Sequence, residues 1–87
     1  MAIPKLTLTN DQDCVVTIWL EPWGEDYWMQ PGETFEFVAD EPHDDFHFSV
    51  VYGGRGISVY AEGGCAYVLV HHQGRQITCG HHRQESA

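Results

Sequence analysis

Positive charge is scarce in this chain. Four Lys and Arg stand against thirteen Asp and Glu, a formal net charge of −9 over 87 residues. Such a field repels phosphate backbones and anionic lipid headgroups and tolerates cations and basic partners. Arg55, Arg75 and Arg83 stand singly, so no basic stripe exists and no nucleic-acid partner is expected. Long apolar runs are missing too: without a stretch of about eighteen such residues, no membrane crossing is expected. The opening Met1-Ala2-Ile3-Pro4-Lys5-Leu6 lacks the apolar core of about seven to fifteen residues that a signal peptide needs, and the chain reads as cytoplasmic. Cysteine is sparse and odd in number, three, which is no disulfide framework. A 3.6-residue apolar period is absent as well, so no helix is expected.

What remains is alternation. Period-two runs are broken by Pro and Gly roughly every eight to twelve residues, the spacing of a sandwich or barrel. The expectation is a single all-β domain over residues 1–80, with 81–87 as a flexible tail. Its architecture would be an antiparallel β-sandwich or short barrel of about seven strands, Greek-key or jelly-roll-like. A chain this short buries only about 60–65% of its unfolded surface, so its core must use nearly every large apolar side chain.

The alternation also assigns faces. Val16, Ile18 and Leu20 oppose Val15, Thr17 and Trp19, and Pro22 ends that strand because it has no amide for a ladder. Phe35, Phe37 and Ala39 oppose Thr34, Glu36 and Val38. Phe46, Phe48, Val50 and Tyr52 oppose His47, Ser49 and Val51, and Ile57, Val59 and Ala61 oppose Ser58 and Tyr60. Pro31-Gly32 predicts a type II turn, and Gln73-Gly74 a tight I′ hairpin that pairs Val70 with Ile77 and Val68 with Cys79.

Three segments hold candidate chemistry. Trp19, Trp23, Tyr27 and Trp28 offer flat aromatic faces beside carboxylates, which suits a sugar or a cation; the competing reading is core and edge packing. Asp40 to His47 gathers four carboxylates and two imidazoles. There His43, Asp45 and His47 form one possible metal set, against a solvated acidic loop. At the C-terminus His72, Cys79 and His81 form a second possible set, against a buried Cys79 acting as a small hydrophobe. A Cys65–Cys79 disulfide is a further alternative that depends on their separation.

Enzyme signatures are wanting. Ser49 and Ser58 lie in no nucleophile turn, and Gly53-Gly54-Arg55-Gly56 has no following helix to receive a phosphate. The segment Glu21-Pro22-Trp23-Gly24 through Tyr27 to Pro31-Gly32-Glu33, with Val59-Tyr60-Ala61-Glu62-Gly63, resembles a group of small bacterial β-rich proteins with no assigned activity. The similarity spans roughly residues 5 to 78 and implies no function. Pro31-Gly32-Glu33 also resembles the turn that opens cupin metal motifs, but Phe35, Phe37 and Val38 stand where that motif carries His-x-His. The expected function is a non-enzymatic interaction or accessory domain without a cofactor, meeting a protein partner or forming a homodimer through an uncovered sheet face or edge. Small-molecule or carbohydrate binding through the aromatic surface, and metal binding, are the alternatives.

Overall fold

The computed structural model describes residues 3–83. Alternation becomes eight strands: β1 Lys5–Thr9, β2 Val16–Glu21, β3 Glu25–Met29, β4 Thr34–Asp40, β5 His47–Gly53, β6 Gly56–Glu62, β7 Tyr67–His72 and β8 Arg75–Ile77. Among the described residues there is no helix, and hence none long and apolar enough to cross a membrane. The strands form two four-stranded sheets, β1-β4-β7-β8 and β3-β2-β6-β5. One sheet contributes Phe35, Phe37, Ala39, Val68 and Val70 to the core, and the other Ile18, Leu20, Tyr27, Met29 and Val59, with Phe46 from the loop before β5. These are alternate positions along each strand, so the apolar face of each sheet is covered by the other.

Two turns have the expected geometry. Glu33 N–H donates to Gln30 O at 3.1 Å across Pro31-Gly32, and Gly32 takes the positive φ of 82° that type II demands. Gln73 and Gly74 both have positive φ, 52° and 78°, the signature of a I′ hairpin, and Val70 pairs with Ile77.

Pairing corrects the wholly antiparallel expectation. Strand β2 runs parallel to β6, with Ile18 opposite Ile57 and Leu20 opposite Val59. Alternation tells which face a side chain takes, but the parallel and antiparallel ladders that satisfy it differ only in backbone direction. Strand β5 also departs from its pattern. Its core-side residues become steadily more exposed, from buried Phe46 through Val50 to Tyr52 at 80%, because β5 lies at the edge of its sheet.

The C-terminus needs a larger correction. Strand β8 stops at Ile77, so Cys79 never pairs with Val68 and is exposed. The chain instead makes two successive turns, with His81 N–H donating to Thr78 O at 3.1 Å and Arg83 N–H to Gly80 O at 2.8 Å. These turns lie along the open edge of β3, where Gly80 N–H donates to Asp26 O at 2.6 Å and Trp28 N–H to His81 O at 2.8 Å. Residues 81–83 therefore cap a sheet edge rather than fraying. Polar composition hid this because main-chain groups make the bonds. Residues 84–87 lie outside the described residues.

Candidate metal centre

The Pro31-Gly32 turn delivers Glu33 to the mouth of the sandwich just before β4. One carboxylate oxygen, Oε1, accepts the Gln30 amide at 2.6 Å, which fixes the side chain and leaves Oε2 directed at two imidazoles. His72, at the end of β7, places Nε2 at 3.2 Å from Oε2, and His82 places Nε2 at 3.7 Å. His81 completes the group: Glu33, His81 and His82 present ligand atoms within 4.8 Å of one another. The rings crowd together, with centroids 4.1 Å apart for His81 and His82 and 6.2 Å for His72 and His81. Phe35 packs edge-on against both His72 and His81 at 5.7 Å and walls the group off on the core side.

The protonation pattern follows from the contacts. His72 Nδ1 lies 3.1 Å from Thr34 O, and a carbonyl accepts only from a ring nitrogen carrying hydrogen. With Nδ1 engaged by that carbonyl, Nε2 faces the Glu33 oxygen, an approach that a proton or a metal ion satisfies. His81 Nε2 is sealed from solvent with no hydrogen-bond partner among the described residues. Burial, followed by the neighbouring His82, lowers the His81 pKa against an opposing pull from Glu33, which favours the neutral ring.

The mutually close donor set is two imidazole nitrogens and one carboxylate oxygen, from His81, His82 and Glu33, and His72 meets the same carboxylate. Hard Ca²⁺ and Mg²⁺ prefer all-oxygen sites, whereas first-row transition ions and Zn²⁺ take mixed nitrogen and oxygen ligands. Zinc binds such ligands at about 2.0–2.2 Å, which sets tetrahedral neighbours about 3.3–3.6 Å apart. The His82–Glu33 separation of 3.7 Å lies just beyond that range. The Nδ1 contact of His72 to Thr34 O holds that ring against the carboxylate.

This arrangement redistributes the sequence candidates. The His72 and His81 rings lie with centroids 6.2 Å apart, and Cys79 does not join them. Its thiol turns to Asp26 Oδ1 at 3.6 Å, on the far side of the C-terminal turn, and Glu33 and His82 take its place. No disulfide forms, since Cys14, Cys65 and Cys79 are all free. The acidic-loop set does not assemble either: among the described residues, the Glu33 group is the only set of three such side chains within ligating distance. His43 donates its amide to Gly64 O, while His47 turns to Asp45 O at 3.2 Å and to Glu62 at 3.7 Å.

The aromatic candidates scatter. Tyr27 is in the core and donates its hydroxyl to Glu25 at 2.9 Å. Trp23 packs edge-on against Tyr67 at 5.0 Å. Trp28 and Trp19 lie on the outer face of their sheet, Trp28 held by Asp26 Oδ2 at 2.8 Å. Trp19 lines a shallow groove of about 380 Å³ with Glu21, Arg55, Ser58 and Tyr60, so the four rings form no single platform. Glu33 escaped the sequence reading because its partners lie on other elements, whereas His82 stands beside His81 in the C-terminal cluster. The one signal pointing to Glu33 was the Pro-Gly turn that immobilises it. Comparison of the chain with protein-family models, with curated proteins and with solved structures finds no match.

Proposed function

We propose that this domain binds one transition-metal ion, zinc foremost, through Glu33, His81 and His82. The observation that carries the reading is the convergence of their ligand atoms within 4.8 Å of one another, with His81 Nε2 buried and without a hydrogen-bond partner among the described residues. His72 Nε2 meets the same Glu33 oxygen at 3.2 Å and helps to position it. The role of the ion is to fasten the C-terminal turn, which carries His81 and His82, to Glu33 just ahead of β4.

Zinc titration by calorimetry on untagged protein, with elemental analysis after dialysis, tests the reading. One equivalent is expected to remain bound. Glu33→Ala and His81→Ala should each weaken zinc at least about tenfold, and His43→Ala with His47→Ala should leave it unchanged. Retention of less than about a tenth of an equivalent, or loss of zinc on removing His43 and His47, overturns it.

A further inference from the structure

Strand β5 is an open edge without the usual protection. Residues His47 to Gly53 include no Lys, Pro, Asp or Glu, the residues that blunt exposed edges elsewhere. Three successive apolar side chains stand exposed on it: Val50 at 44%, Val51 at 55% and Tyr52 at 80%.

The backbone is equally unsatisfied. The hairpin to β6 closes through a two-residue loop on Gly53 and Gly56, and such a loop closes on a hydrogen-bonded pair. Counting back in twos, Val51 and Ser49 bond to β6, while Phe48, Val50 and Tyr52 turn N–H and C=O outward. Among the described residues no loop or further strand meets these groups.

We infer that β5 is the surface through which two copies of this chain associate, antiparallel and with Val50 on the two-fold axis. The strand is self-complementary in that register. Val50 meets Val50 of the second copy, and Phe48 meets its Tyr52, so all three outward-turned residues find hydrogen-bonded partners and every exposed apolar side chain gains an apolar or Ser neighbour. The same register brings Asp45 alongside Arg55 of the second copy at both ends. Within one chain neither Asp45 nor Arg55 forms a salt bridge among the described residues. The net charge of −9 on each copy opposes association, and that repulsion is least along an uncharged strand flanked by opposite charges. The metal ligands lie on other elements, so the association is independent of zinc.

Sedimentation and light scattering across a concentration series, with and without a chelator, provide the test. A dimer is expected that ignores the chelator. Val50→Lys sets two ammonium groups face to face on the axis and should weaken the dimer at least about tenfold, with circular dichroism confirming the retained β-fold. Arg55→Asp should weaken it too, and adding Asp45→Arg to that variant should restore it, a rescue that simple misfolding does not give. A monomer at about 1 mM, a dimer indifferent to Val50→Lys, or failure of the charge swap to rescue overturns the inference. Failure here leaves the zinc titration untouched.

Discussion

The amide of Trp28 donates to the carbonyl of His81 at 2.8 Å, so a residue of the candidate metal centre also caps the open edge of the second sheet. Zinc should therefore be felt at β3. With free zinc about 100-fold above its dissociation constant, opening of the C-terminal turn costs about 2.7 kcal/mol more, and hydrogen exchange at the Trp28 amide should slow about 100-fold. The Ala39 amide, bonded to Pro4 O on the other side of the fold, should not respond. Equal slowing at both sites would mean that zinc stabilises the domain without acting through the cap.

Tyr67 joins the sheets at the opposite end. Its hydroxyl reaches both oxygens of Glu25, at 2.5 and 2.7 Å, and Tyr27 donates to the same carboxylate. Tyr67→Phe removes a charge-assisted bond in a half-buried place and should cost about 1–2 kcal/mol in urea unfolding.

The same network fixes the alkaline limb. Burial, then the Glu25 carboxylate, pushes the Tyr67 pKa up to about 12, and burial raises Tyr27 as well. A folded value above the unfolded value of 10.0 contributes stability that is complete below pH 10 and is lost as pH rises toward 12. With the exposed Tyr52 and Tyr60 replaced by Phe, tyrosinate absorbance should thus rise together with unfolding over that window, and its appearance in that still-folded variant near pH 10 would contradict the network.

At the acid end the group is Asp26. The Arg83 guanidinium holds its carboxyl down at about 2, with Trp28 and Cys79 assisting against an opposing desolvation effect. The folded value lies below the unfolded 3.8, so this contribution is present above pH 3.8 and fades as pH falls toward 2. Asp26→Asn should flatten the dependence of stability on pH across that range, read from thermal unfolding at fixed salt.

Gly56 reports on the parallel pair. It sits at a positive φ of 117°, and a Cβ there would run into the carbonyl of Thr17 on β2. Gly56→Ala should therefore cost at least about 2 kcal/mol. Gly54→Ala, two positions earlier with open space around it, should be close to neutral.

Much of the fold was legible because faces and turns are local. Phe35 and Phe37 announce an inward face by their spacing alone, and Pro31-Gly32 carries its turn in the φ preferences of two residues. The candidate site was half legible. His72 and His81 stood out as imidazoles near one hairpin, but Cys79 was placed by extending that hairpin two residues beyond its end. Glu33 was passed over because the 38 positions between it and His72 say nothing of the contact between them.

The order of residues thus determined which side chains turn inward and where the chain reverses, since both follow from backbone sterics within a few residues. Only the tertiary structure decided that β2 lies parallel to β6, that the last turns close the edge of β3, and that Glu33 meets three histidines. Those outcomes depend on which backbone edges are left open after the sheets pack, a property of the whole assembly that no short stretch of sequence contains.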